Sequence, residues 1–262
     1  MNTAAIDVSI LWPAFLAGML VTATHVPLGT QVLSRGIVFI DLAIAQIAGL
    51  GVILANAAGL EAHGWAVQAF ALAAALAGAL LLTWTEKRWP EVQEAIIGAT
   101  FVLAASAALL LLASNPHGGE HLKELLVGQI LWVSPDLLVY VAMIYGLALV
   151  LWFGIGERMG RVGFYLVFAT VVTISVQLVG LYLVFTTLII PALATRRLNR
   201  GRLAWAYAVG IAGYAAGLYV STVTDWPSGP AVVWTMAVAA LVPTLGAAMM
   251  RSRAVAARAP AK

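Results

Sequence analysis

Asp41 is the side chain best placed to do chemistry in this sequence. It lies in the apolar run RGIVFIDLAIAQIAGLG, after Arg35. A carboxylate at membrane depth costs about 2.5–3.5 kcal/mol at a helix centre and less towards its end, so such groups mark ion paths or titrating sites. Gln46 follows about one helical turn later, and Gln177 stands near the outer end of another apolar run. Together the three supply oxygens and amides suited to lining a path for a hydrated cation. The competing reading is interhelical hydrogen bonding, worth well under about 2 kcal/mol for each side chain. For either glutamine the bonding role is the commoner one.

A second group, His117, Glu120 and His121, occupies the polar segment NPHGGEHLKE. In a helix the i, i+4 spacing would put both imidazoles on one face, giving two nitrogens and a carboxylate as candidate metal ligands. Gly118 and Gly119 oppose a stable helix there, and wet loops often carry histidine without metal. His25, just before Pro27, reads as a packing or capping residue.

Other chemistry is excluded. A phosphate-cradling loop needs a Gly-rich turn leading into Lys and then Ser or Thr. The three lysines, Lys87, Lys123 and Lys262, sit in TEKRW, HLKEL and PAK. The spans contain no pairing of nucleophile with base that would make an embedded enzyme. The chain is therefore expected to hydrolyse no nucleotide and to bind no cofactor. Its energy would come from an ion gradient or from a partner.

The elements that must position these residues are membrane spans. Of 262 residues 63% are hydrophobic and 10% are charged, too little polar surface for a soluble protein of this size. Apolar runs occupy about 9–29, 36–60, 65–85, 95–114, 136–155, 163–178, 181–195, 203–223 and 230–250. A helical span needs roughly 20 apolar residues. The expected architecture is an all-α polytopic membrane protein of about nine spans, forming one transmembrane domain over 1–262 with a basic tail at 251–262.

Orientation follows from charge. Of fourteen Lys and Arg residues only Lys123 fails to fall on one side when the C-terminus is placed inside. The others are Arg35, Lys87, Arg88, Arg158, Arg161, Arg196, Arg197, Arg200, Arg202, Arg251, Arg253, Arg258 and Lys262. The positive-inside rule then puts the N-terminus outside and the C-terminus in the cytoplasm. The net charge of +3 is spent on cytoplasmic helix ends facing anionic headgroups, so no nucleic-acid partner is expected. Residues 1–9 lack a basic leader region, and the first span is expected to be retained. The absence of cysteine removes disulfides and thiolate sites.

Two places interrupt the helices. Residues 163–195 are expected to cross twice as short arms of about 15 residues, pivoting near Val179-Gly180 with Pro191 breaking the second arm. Short, Gly/Pro-interrupted arms are tolerated where protein or a water-filled cavity surrounds them, and they often line transport sites. The stretch Gly156–Gly163 (GERMGRVG) is either an ordinary solvated turn or a compact cytoplasmic knob able to enter a groove on another protein. Gly213 and Gly217 read as a close helix–helix contact.

At this point the residues resemble a family. RGIVFIDLAIAQIAGLG resembles the second-span signature of the ABC-3 family, the permease subunits of bacterial zinc, manganese and iron ABC importers. Gly98 with LLVGQILWVSPDL, VGLYLVFTTLIIPALAT and SGPAVV are similar to three further segments of that family, in order over roughly residues 10–250. Two departures stand out. The family's second-span histidine is absent: with Arg35 as anchor its position carries Gln46, and with Asp41 as anchor it carries Ala45. The cytoplasmic segment before the paired arms is shortened to GERMGRVG. The chain is thus identified as a divergent member.

The resemblance implies a type II importer-like permease in a bacterial inner membrane. It implies a homodimer with the pore between subunits, cytoplasmic ABC ATPase subunits that use ATP, and a periplasmic metal-binding protein. The cargo would be a divalent metal on a path lined by Asp41, Gln46 and Gln177. ATPase coupling would act at Gly156, Glu157, Arg158, Met159 and Gly160, in part through Arg196–Arg202, with Gly180 and Pro191 as hinge. Membrane lipid surrounds the spans. The rival from the residues alone is a proton-coupled secondary cation carrier titrating Asp41, and a third reading is a membrane scaffold that transports nothing.

Overall fold

A computed structural model describes residues 8–60, 64–112, 128, 130–156, 158–198 and 200–256. Among these residues the chain forms nine α-helices and no strand. They are α1 (Val8–Arg35), α2 (Ile40–Ala57), α3 (Trp65–Arg88), α4 (Gln93–Leu112), α5 (Pro135–Ile155), α6 (Gly160–Val179), α7 (Leu181–Thr195), α8 (Arg202–Thr224) and α9 (Ser228–Ala256). Helix is the form that satisfies every backbone polar group inside an apolar run, which is why uninterrupted hydrophobicity dictates it here. Eight of the nine are long and apolar enough to cross a membrane, and α7 is the short apolar one.

The nine expected runs each match one helix, with two corrections. The first paired arm is not short. α6 has 20 residues because it begins at Gly160 and takes in Arg161 and Gly163, so it extends about 30 Å, a full hydrocarbon thickness. Only α7, with 15 residues, is short. For the same reason the polar stretch between the flanking helices is residues 156–159, half of what the glycines at Gly156 and Gly163 suggest. The second correction concerns α2. It starts at Ile40 rather than near residue 36, which places Asp41 in the first helical turn.

The helices gather into two groups. α2 packs against α3, α4 and α6, and α3 packs on α6; α1 packs against α7 and α8, and α9 covers α7 and α8. α6 belongs to the first group and α7 to the second, so the groups meet where Gly180 alone separates these helices. Gly180 adopts φ 86°, ψ 160°, a conformation that L side chains rarely take. The turn before α5 closes over this pivot, and a Cβ on Gly128 would lie 2.2 Å from the Val179 carbonyl oxygen.

Small residues set the crossings. A Cβ on Gly29 would stand 1.9 Å from the Leu188 carbonyl oxygen, so α1 and α7 touch backbone to backbone. Gly213 and Gly217 seat α8 on Met236 and Val232 of α9, as their spacing suggests, and the Thr235 hydroxyl donates to the Gly213 carbonyl at 2.8 Å. Prolines need compensation. Pro27 lacks an N–H, which leaves the Ala23 carbonyl without its helical donor. The Tyr207 hydroxyl of α8 takes that place at 3.0 Å.

Candidate functional site

The loop from α1 into α2 builds the candidate site. α1 ends at Arg35, Gly36 turns the chain at φ 70°, and α2 opens with Ile40 and Asp41. Asp41 is fully buried, and among the described residues neither carboxylate oxygen has a hydrogen-bond partner. Its position in the first turn lets the positive end of the helix dipole support a negative charge. A buried carboxylate without a paired cation or donor is costly, and it is correspondingly disposed to take up a cation or a proton.

Glu94, which sequence reasoning passed over, reaches the backbone just before Asp41. It sits in the first turn of α4. Its Oε1 accepts the Phe39 backbone N–H at 3.3 Å, while its Oε2 is buried without a partner among the described residues. One carboxylate therefore pins the backbone two residues before the other. The signal for Glu94 was an acidic residue opening an apolar run. It was masked by the equally acidic Glu91 beside it, which is exposed.

The other two expected path residues sit elsewhere. Gln46 is half-buried and lines a narrow cleft with Gly49, Val176 and Leu181, beside the α6–α7 pivot. Gln177 is adjacent in sequence to that cleft but exposed near the C-terminal end of α6. Five residues separate Asp41 from Gln46, about 140° of helical rotation, so they do not share a face. Among the described residues no group of three or more His, Asp or Glu side chains comes together as a metal centre. His117, Glu120 and His121 lie outside the described residues.

His25 falls in the middle of α1 and is fully buried. Its Nδ1 is 3.0 Å from the Val21 carbonyl, which suits an Nδ1–H donor, and Nε2 has no partner among the described residues. Deeper polar contacts hold the helices together. Tyr145 of α5 bonds Ser175 of α6, and Thr187 of α7 bonds the Tyr214 hydroxyl of α8 at 3.0 Å.

The coupling candidates occupy a cross-braced corner. Gly156, Arg158 and Met159 form the α5–α6 turn, and Gly160 begins α6 at φ 63°; Glu157 lies outside the described residues. Directly after the turn, Arg161 approaches Glu86 of α3 at 3.7 Å, and the Arg35 guanidinium lies 4.3 Å above the ring centre of Phe164. Buried Gln93 receives the Thr85 hydroxyl at 3.0 Å and donates to the Leu82 carbonyl at 2.9 Å, which fastens α3 to the start of α4. The start of α6, directly after the turn, is thus tied to both α1 and α3. Of the hinge candidates, Gly180 is the single-residue junction described above, and Pro191 lies buried inside α7.

Comparison with known proteins bears on this arrangement. PsaBC from Streptococcus pneumoniae, solved in complex with Fab, superposes with a TM-score of 0.73 at 19% identity, covering 90% of this chain and 91% of that one. A second structure is described as an inward-facing conformation of a transporter proposed to be of the metal-chelate ABC type. It superposes with a TM-score of 0.64 at 14% identity over 97% of this chain and 91% of that one. At these identities the likeness is one of fold. The profile of the ABC 3 transport family matches residues 7–160 and 153–247. With nearly the whole described bundle inside those two matches, this multi-pass membrane chain belongs to the ABC 3 transport family.

Proposed function

We propose that this chain is the membrane permease subunit of an ATP-binding cassette importer whose cargo is a divalent metal cation, zinc, manganese or iron. The observation that carries the reading is Asp41: a fully buried carboxylate with both oxygens unpartnered among the described residues, in a bundle of permease fold. On this reading two copies form the pore in a bacterial inner membrane, with N-termini outside and C-termini in the cytoplasm. Two cytoplasmic ATPases supply ATP hydrolysis and bear on the corner at Gly156–Gly160. A periplasmic metal-binding protein delivers cargo to the outer face.

Metal passing the inner end of α2 meets Asp41, with Glu94 adding a second negative charge nearby. Gln46 and Gln177 belong to the outer part of the path, towards the α6–α7 pivot. A cation moving past such sites must be bound strongly enough to enter and weakly enough to leave, which two carboxylates without a full ligand set allow. Asp41→Asn tests the assignment: cation uptake should fall with assembly intact, and wild-type uptake would remove Asp41 from the path.

A proton-coupled carrier could use the same unpartnered carboxylate as its titrating group. The lone chain in liposomes under a pH gradient separates the two, because a carrier moves cation there and a permease subunit does not.

A further inference from the structure

Between α7 and α9 a groove of about 380 Å³ opens beside Arg196 and Arg197, which directly follow the C-terminal end of α7. It exists because four of the five α9 residues that line it are small, Leu241 being the exception. Ala237, Ala240, Thr244 and Ala247 recur at helical spacing along the floor, and Ile190 and Leu193 of α7 form the opposite wall. From Ala237 to Ala247 the floor runs about 15 Å, the depth of one leaflet of a hydrocarbon core about 30 Å thick.

The mouth is cationic. Arg196 and Arg197 are both exposed and border the groove, and among the described residues neither is paired with an acid. Neutralisation from nearby sequence is absent too. Residues 181–262 contain eight basic residues and a single acid, Asp225, which ends α8 at the far end from Arg202.

We infer that this groove is a binding site for an anionic phospholipid of the cytoplasmic leaflet. One acyl chain lies along the alanine floor of α9, and the phosphate sits against Arg196 and Arg197. Apolar walls of leaflet depth suit an acyl chain, and a pair of guanidiniums at headgroup level suits the phosphate by charge and by geometry. A lipid in this place fills the space that the small residues leave and ties the short helix α7 to α9. The inference does not depend on which cargo the transporter carries.

The test uses the purified full chain in discs of phosphatidylcholine containing a minor fraction of phosphatidylglycerol, with retained lipids counted by native mass spectrometry after gentle release. Wild type should hold phosphatidylglycerol in excess of its share of the disc. R196Q/R197Q should reduce that preference by about fivefold per arginine removed, from roughly 1 kcal/mol for each basic residue near the surface. A237F/A240F, which fills the floor and keeps the charge, should lower the lipid retained. K87Q/R88Q, a basic pair on another helix, should change neither.

Undiminished preference in R196Q/R197Q, or an equal loss in K87Q/R88Q, overturns the site. Unchanged lipid counts with a shift in oligomeric state for A237F/A240F also overturn it, and would assign the groove to a second copy of this chain. Unchanged lipid counts, together with lost ATPase retention when R196Q/R197Q is purified gently from native membranes, also overturn the site and would assign the arginines to that partner.

Discussion

Gly128 and Gly180 meet backbone to backbone: a Cβ added to Gly128 would lie 2.5 Å from the Gly180 nitrogen. Both residues hold positive φ, 71° and 86°. The turn leading into α5 is therefore clamped onto the one residue that separates α6 from α7, so the pivot is enclosed by protein, as irregular backbone at membrane depth must be.

Gly128→Ala should accordingly be among the most damaging small substitutions. It meets both a left-handed backbone, costing about 1–2 kcal/mol, and a contact that has no room for a methyl group. Gly98 in α4 has open space around its Cα, so Gly98→Ala should be neutral or slightly stabilising. Thermal unfolding of the two variants in detergent should separate them by several degrees. Equal midpoints would show that the clamp is loose.

The Tyr207 hydroxyl substitutes for the N–H that Pro27 lacks, which makes the two positions interdependent. Tyr207→Phe should cost about 1 kcal/mol, the usual net worth of a hydrogen bond whose partner stays behind. In a Pro27→Ala background the restored N–H can serve Ala23, and the same change should cost much less. A double-mutant cycle in thermal stability measures this, and additive losses would refute the compensation.

At the α5–α6 turn, Glu157→Ala combined with Arg158→Ala should weaken ATPase retention while leaving membrane insertion and bundle stability unchanged. Arg161→Gln, by contrast, should have little effect on stability, because its pairing with Glu86 at 3.7 Å is half-exposed. Pull-down of the ATPase with each tagged variant reads the difference. Normal retention in the double variant would remove the turn from the coupling contact.

For the path, Glu94→Gln should lower cation uptake alongside Asp41→Asn, whereas Glu91→Gln should not, because Glu91 is exposed while Glu94 bonds the Phe39 N–H two residues before Asp41. Metal uptake into proteoliposomes containing the assembled transporter checks this. Equal effects from Glu91 and Glu94 would reduce their role to general surface charge.

What the sequence made legible follows from which forces are local. Hydrophobic runs specified the helices because lipid leaves the backbone no alternative, and Gly180, Gly213 and Gly217 announced the pivot and the α8–α9 contact by their spacing. The start of α6 was misplaced because Gly156 to Gly163 looks like one loop. Gly160 instead begins the helix, and Arg161 finds its partner on α3. Tyr207 with Ala23, and Glu94 with the Phe39 backbone, join residues far apart in sequence, and nothing local signals either pair. The depth of Asp41 depended on where α2 begins, which the turn at Gly36–Phe39 decides rather than hydropathy.

Gentle purification of this chain from native membranes, with its companions identified by mass spectrometry, tests whether it works as an ABC permease. A permease subunit should bring with it a stoichiometric protein bearing a phosphate-binding loop, whose ATPase activity rises with a divalent metal and its binding protein. Repeated absence of any ATPase would contradict that role and favour a carrier driven by an ion gradient.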